Sequence, residues 1–299
     1  VTDSTSTPEL ETTIDGLRQR LDAHRAKGGG VALVPTMGSL HDGHLALIER
    51  ARELADLVVV SIFVNPLQFG PGEDFEQYPR TLDDDRAVLA GQGVDIVFAP
   101  AVDEMYPSGA SITGVTAGAV GATLEGRSRP GHFDGVLTVV AKLLGIVQPH
   151  HVLFGQKDAQ QVFLVQRMVR DLDIRTRVQV VETVRDDNDG LALSSRNVFL
   201  DERNRTAARV IPLALEAAQS AADLGIDAVV GCRLGGLQGQ RYRARLLCRR
   251  RPRDLRARDG RPPGPGSRPH RRAPGRHPAH RHRAHRPRVA GGEGAPARR

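Results

Sequence analysis

The sequence predicts an α/β fold: a doubly wound parallel sheet followed by a second, smaller C-terminal domain. Three observations carry that expectation. Short runs such as Leu57–Phe63 (LVVVSIF) are apolar and β-branched throughout, as in strands covered on both faces. These runs alternate with longer segments of helical periodicity, the pattern of βαβ units. Glycine-bearing turns follow two of them, Pro35–His44 (PTMGSLHDGH) and Phe154–Asp158 (FGQKD). Open parallel sheets gather their ligands at that carboxyl edge.

Size and charge set the outer limits. At 299 residues the chain has room for two domains, and it holds no run of 18 apolar residues that would span a membrane. The first 13 residues are polar and acidic and read as a disordered lead-in. They lack the basic and apolar regions of a secretion signal, so the cytoplasm is the expected compartment. Two cysteines, Cys232 and Cys248, are too few for a disulfide framework or a four-cysteine metal site. The net charge of +7 averages two unlike pieces: residues 226–299 hold 21 Arg, no Lys and 4 acidic residues, a net of +17, which leaves −10 on residues 1–225. A nucleic-acid partner for the whole protein is therefore not expected from its basic balance.

In chain order, Ile14, Leu17 and Leu21 share a helical face, and Lys27–Gly30 ends that helix. Val31–Pro35 is the first predicted strand. Leu45, Leu47, Ile48, Ala51 and Leu54 line one face of the next helix, and Leu57–Phe63 is the second strand. Thr81 has the character of an N-cap, with Asp83, Asp84 and Asp85 in the first turn of a helix ending near Gln92-Gly93. Asp95–Phe98 is the third strand, and residues 100–123 read as irregular. Gly135–Val147 is apolar enough for a buried helix, and Val152–Phe154 is a fourth strand. After Gly155–Asp158 comes a helix with Val162, Leu164, Val165 and Met168 on its inner face. Val178–Val184 is a fifth strand, Asp186–Gly190 a polar turn, Leu191–Asn197 a loop and Asp201–Ala222 one long helix.

Beyond Gly225 the periodicity stops, and Arg, Pro, Gly, Ala and His dominate. An Arg-rich nucleic-acid-binding tail is one reading, but Tyr242 is the only aromatic residue there and no folded reader accompanies it. A plain disordered extension is a second. The reading adopted is translation out of frame, because GC-rich DNA read out of frame yields these residue types and no lysine. The expected layout is thus a disordered 1–13, a Rossmann-like domain over 14–184, the start of a C-terminal lid domain over 185–225, and an aberrant tail over 226–299. The second domain is accordingly expected to be incomplete.

Three polar clusters fall at the carboxyl edge of the predicted sheet. His41 and His44 open a helix, where backbone N–H groups and the helix dipole favour anions, and two imidazoles there suit phosphate oxygens. A zinc pair would need further ligands, for which only carboxylates such as Asp42 stand nearby. Gly43 would let a nucleotide lie close to the backbone. Lys157 opens another helix at the same edge and would neutralise a phosphate as a point charge. Ser194, Ser195 and Arg196 offer hydroxyls and a guanidinium to further phosphates. Gln68 and Gln161 are neutral amides fit for the hydroxyl and carboxylate groups of a small substrate. Asp84 and Asp85 serve either as helix-terminal charges or in function.

Five blocks together resemble a known family: PTMGSLHDGH (35–44), SIFVNPLQFGPGEDFEQYPR (61–80), LEGRSRPGHFDGVLTVV (124–140), FGQKDAQQ (154–161) and LALSSRN (191–197). They resemble the pantoate–β-alanine ligases, also called pantothenate synthetases, of the HIGH-type nucleotidylyltransferase superfamily, over roughly residues 14–222. The resemblance implies a homodimer that joins pantoate to β-alanine through a pantoyl adenylate, with ATP as substrate and Mg²⁺ present but its ligands unassigned. It implies that Met37, Gly38, Ser39, Leu40, His41, Asp42, Gly43 and His44 line the nucleotide, with His44 as proton donor and His41 on the phosphates. Gly155, Gln156, Lys157 and Asp158 would bind ATP, with Lys157 catalytic, and Val184 would flank adenine. Leu193, Ser194, Ser195 and Arg196 would form the flexible phosphate loop. Gln68 and Gln161 would hold pantoate, with Gln68 also facing β-alanine, and Val136, Val139 and Val140 would wall the dimethyl group of pantoate. Gln156 and Ala159 depart from the family's glutamate and aromatic residue, which puts the packing beside Lys157 in question. Two other readings accompany this one: a nucleotidylyltransferase of the same fold, and an inactive remnant.

Overall fold

A computed structural model describes residues 7–109, 113–227 and 229. Nearly all of the expected 226–299 tail lies outside the described residues, as do residues 1–6. Six parallel strands form one sheet: β1 (Glu9–Glu11), β2 (Val31–Thr36), β3 (Leu57–Ile62), β4 (Ile96–Phe98), β5 (His151–Gly155) and β6 (Arg177–Val181), in the order β1-β4-β3-β2-β5-β6. The helices are α1 (Ile14–Arg25), α2 (Asp42–Leu54), α3 (Leu82–Leu89), α4 (Val102–Met105), α5 (Gly118–Gly121), α6 (Leu124–Ser128), α7 (His132–Val147), α8 (Ala159–Asp171), α9 (Glu202–Ala208) and α10 (Val210–Ser220). The doubly wound parallel sheet of the sequence reading is present.

Strand alternation explains the continuous apolar runs. Val31 and Leu33 of β2 join a core with α1, α7 and α8, while Ala32 and Val34 join a second core with α2 and α3. Both faces are covered, so the positions along the body of such a strand are apolar, and Thr36 and Ser61 come only toward the carboxyl ends. The chain winds from β2 through β3 to β4 on one side, then crosses to β5 on the other. The strand order therefore reverses between β2 and β5, and the crevice above their carboxyl ends is the switch point of the sheet. Pairing between these two strands covers only Ala32 with His151 and Leu33 with Val152.

Five expectations need correction. Residues 100–123 are not irregular throughout, since the short helices α4 and α5 fall within them. Residues 9–11 are not part of a disordered lead-in: Glu9–Glu11 is an edge strand on β4, continued by a hydrogen bond from Ala99 N–H to Glu11 O (2.9 Å). An edge strand keeps much of its side-chain surface in water, so its Glu-Leu-Glu carries no apolar signal. The predicted Asp201–Ala222 helix is two helices that break at Arg209. Pro212 supplies the reason, since it has no N–H and its ring crowds the carbonyl four residues back. Helix α3 stops at Leu89, and Gly91 and Gly93 follow in left-handed conformations. The last predicted strand ends at Val181, short of Val184.

Candidate active site

The turn after β2 is assembled by short-range polar bonds. The Thr36 hydroxyl donates to Ser61 O (2.8 Å) and accepts from Gly38 N–H (3.2 Å). Gly38 and Ser39 then take left-handed φ values of 83° and 52°. The two N–H groups that follow point at one buried carboxylate: Asp85 accepts from Ser39 (3.0 Å) and Leu40 (2.8 Å), and also from the Thr81 hydroxyl (3.1 Å). Asp85, only 2% exposed, is thus a brace for the motif turn. Thr81 holds the N-cap position without capping through its side chain, because its hydroxyl is given to Asp85.

The two histidines cap helix α2 reciprocally. Gly43 N–H donates to His41 Nδ1 (3.2 Å), and His41 N–H donates to His44 Nδ1 (3.3 Å). Each Nδ1 is an acceptor, so in each neutral ring the proton sits on Nε2. The rings lie side by side, 4.1 Å between centroids. Burial pushes the His44 imidazolium down to a pKa of about 3, with the charges of His41 and Lys157 adding to it. Burial and Lys157 lower His41 as well. The pair therefore presents two neutral Nε2–H donors at a helix N-terminus. A Cβ at Gly43 would sit 2.9 Å from His41 Cε1, so the glycine also makes room for the capping ring.

Lys157 reaches the same crevice from the turn Gln156–Asp158 after β5. Its ammonium donates to Leu193 O (3.3 Å) and lies 3.9 Å from Asp158. Gln156 and Ala159, the two departures, are both exposed. The loop over residues 193–196 is tied to Val184 by Leu193 N–H donating to Val184 O (3.0 Å) and by an Arg185–Ala192 bridge. Ser194 caps its own turn by accepting from Arg196 N–H (3.3 Å), and Ser195 Oγ meets the Tyr78 hydroxyl at 3.2 Å. Arg196 forms an ion pair with Asp74 and lies over the Tyr78 ring.

Gln68 is held on two sides. Its side-chain oxygen accepts from Asn65 Nδ2 (3.2 Å), which leaves its NH₂ facing Met37 Sδ (3.0 Å). Its backbone oxygen accepts from His132 Nδ1–H (2.7 Å). Arg129 Nη2 donates to that oxygen (3.4 Å), its Nε and Nη2 take both oxygens of Glu73 (2.7 and 2.6 Å), and its Nη1 donates to His132 Nε2 (3.1 Å). Helix α7 packs beneath the same turn so closely that a Cβ at Gly135 would overlap Leu67 O. Val136, Val139 and Val140 are core residues, 3, 6 and 4% exposed, so little of their surface remains for a ligand. Gln161 is half-buried on the first turn of α8. Among the described residues no three His, Cys, Asp or Glu side chains converge as a metal site.

Sequence reasoning missed Asn65, Tyr106, Glu73 and His132, and it left Asp85 undecided. A carboxylate count at the start of α3 could not tell Asp85 from Asp84. The NPLQ turn, by contrast, carried a usable signal in Asn65, an Asx-type residue ahead of a proline.

A helix N-terminus, two neutral imidazoles and a lysine at a parallel-sheet switch point define a nucleotide-handling α/β enzyme. The comparisons with known proteins narrow that class. The family model described as pantoate-beta-alanine ligase matches residues 9–246. The pantothenate synthetase of Leifsonia xyli is 61% identical over 208 residues, 70% of this chain and 72% of that protein. The one from Acidothermus cellulolyticus is 54% identical, over 75% of this chain and 72% of its own. Among solved structures, pantothenate synthetase from Thermus thermophilus aligns with a TM-score of 0.72 at 50% identity, over 77% of this chain and 82% of that one. The pantoate-beta-alanine ligase of Francisella tularensis, solved with beta-gamma ATP and beta-alanine, aligns at 0.65 and 36%, over 77 and 86% of the two chains. The chain belongs to the pantoate–β-alanine ligase family.

Proposed function

We propose that this chain condenses (R)-pantoate with β-alanine at the expense of ATP, giving pantothenate, AMP and pyrophosphate through a pantoyl adenylate. The reciprocal His41–His44 cap carries the reading. It holds two Nε2–H donors in fixed tautomers where charge grows on the phosphate oxygens of ATP during attack at the α-phosphorus. Lys157 lowers the pKa of both rings and so shares that electrostatic field. The pantoate carboxylate oxygen bonds to the α-phosphorus as the bond to pyrophosphate breaks. The amine of β-alanine then bonds to the acyl carbon, AMP departs, and the nitrogen loses a proton. Little covalent chemistry falls to the protein, whose work is positioning and charge stabilisation.

The remaining assignments belong to the same reading. The Gln68 NH₂, resting against a weak thioether acceptor, exchanges Met37 Sδ for a substrate oxygen. Gln161 takes the far end of pantoate, and Val136, Val139 and Val140 back its dimethyl group. Residues 37–44 and 155–158 bind ATP with Val184 beside adenine, and residues 193–196 close on the phosphates. Mg²⁺ fits as the ion carried by the ATP phosphates, the usual habit of a cation reluctant to shed its water. Residues 185–225 begin the lid, and the reading extends to a cytoplasmic homodimer.

Incubation with ATP, pantoate and β-alanine tests the reaction: AMP and pantothenate should appear in equal amounts. ATP consumption only on addition of a phosphorylated cosubstrate would overturn it. Sedimentation of the purified chain tests the dimer.

A further inference from the structure

A glutamine that must donate to a substrate oxygen has a difficulty of its own. Its amide is nearly symmetric in shape, and half a turn swaps donor for acceptor. Gln68 avoids this because Asn65 Nδ2 donates to its oxygen (3.2 Å). That arrangement holds only while Asn65 is itself fixed. Asn65 is 1% exposed and fully engaged. Its Nδ2 also donates to Gly135 O (3.1 Å), and its Oδ1 accepts from Leu67 N–H (3.3 Å) and from the Tyr106 hydroxyl (2.9 Å).

Three of these partners belong to the turn itself or to the helix directly beneath it. Tyr106 is different. It follows α4, forty-one positions further along the chain. Its ring is 5% exposed, packed near Phe63 (6.1 Å between centroids), with the Lys142 ammonium 5.5 Å from its centre. Burial holds its pKa up at about 12, so the phenol keeps the proton that it donates to Asn65 Oδ1. Leu67 N–H, a pure donor, and Gly135 O, a pure acceptor, select the Asn65 orientation with oxygen toward Tyr106, and the tyrosine hydroxyl adds a second donor that holds that oxygen, and hence Gln68, in place.

We infer that Tyr106 is a positioning residue for the ligase: through Asn65 it sets the amide of Gln68 with its NH₂ toward the carboxylate substrate. The inference rests on the proposed ligase reaction and on Gln68 as the substrate's partner. Tyr106 touches no substrate. Removing its hydroxyl leaves a buried acceptor short of a donor and loosens the hold of the Asn65 amide on Gln68.

The test is Y106F, read by steady-state kinetics and by calorimetric pantoate binding on the full chain. The expected result is an about tenfold loss in pantoate affinity and in kcat/KM for pantoate, with KM for ATP within twofold of wild type. In a Gln68→Ala background, Y106F should add nothing further, since the residue it acts through is gone. N65S cuts the relay at its next link and gives the same signature if Y106F does not fold. Unchanged pantoate binding in Y106F, or equal losses for ATP and pantoate, or full additivity with Q68A, would overturn the inference while leaving the ligase reading in place. A wild-type chain that takes up ATP but no pantoate would remove the ligase reading and this inference together.

Discussion

Arg196 and Asp74, 122 residues apart in the chain, are joined by two parallel hydrogen bonds, Nε to Oδ2 at 2.9 Å and Nη2 to Oδ1 at 3.2 Å. A carboxylate in this geometry occupies the same fork that would otherwise receive a phosphate. The neighbouring Glu73 makes the same kind of pair with Arg129 beside Gln68.

The first prediction concerns that fork. D74N removes the competing charge and should lower KM for ATP by about two- to fivefold, the range of a partly exposed ion pair. R196A should raise it. Initial rates at varied ATP and fixed pantoate check both, and a D74N enzyme with a higher KM for ATP would contradict the competition.

His44 faces the largest expected loss. H44A should lower turnover by about two to three orders of magnitude, the scale for removing one preorganised donor from a charged transition state. Near-wild-type turnover would remove His44 from the machinery.

Acidity provides a separate check on the same ring. The folded His44 has a pKa of about 3 against 6.5 for an ordinary histidine. Between those values the unfolded chain binds the extra proton, so stability falls as pH drops below about 6.5. The slope for one such site is roughly 1.4 kcal/mol per pH unit. Unfolding of the free protein from pH 7 to 4.5 should show this slope, and H44N should flatten it. An imidazole resonance of His44 that titrates near 6.5 would contradict the assignment.

Gly135 tests the packing beneath Gln68. A methyl group there would overlap Leu67 O, against backbone that has nowhere to retreat. G135A should destabilise the protein by about 1–3 kcal/mol, the cost of overpacking. It should also reduce kcat/KM for pantoate more than tenfold, since Leu67 adjoins Gln68. Thermal unfolding together with pantoate kinetics measures both.

The sheet and the placing of His41 and His44 at a helix start were readable because their signals are local. Apolar runs mark strands buried on both faces, and HDGH places two imidazoles on one helix start. Val162, Leu164, Val165 and Met168 were all recovered as buried because helical period alone decides which face of α8 turns inward. The braces were not readable because they are relations between distant segments. Nothing in LDDD marks Asp85 as the residue that reaches Ser39 and Leu40. Nothing near Tyr106 points at Asn65. Glu9–Glu11 escaped for a related reason: an edge strand is defined by its partner, and its own residues look like solvent-facing chain.

The pairing of β2 with β5 has a consequence for mechanical alignment. The imidazoles follow the end of one strand and Lys157 the end of the other, and the ladder between the two strands pairs Ala32 with His151 and Leu33 with Val152. Beneath that short splice, His150 locks the offset. Its N–H donates to Val31 O (2.8 Å), its Nδ1 accepts from Val31 N–H (3.1 Å), and its own carbonyl accepts from Arg177 N–H (2.9 Å). A slip of two residues would move Lys157 by about 6.6 Å along the strand direction relative to the imidazoles. The offset between the imidazoles and Lys157 is therefore gauged from the opposite end of the sheet, by His150.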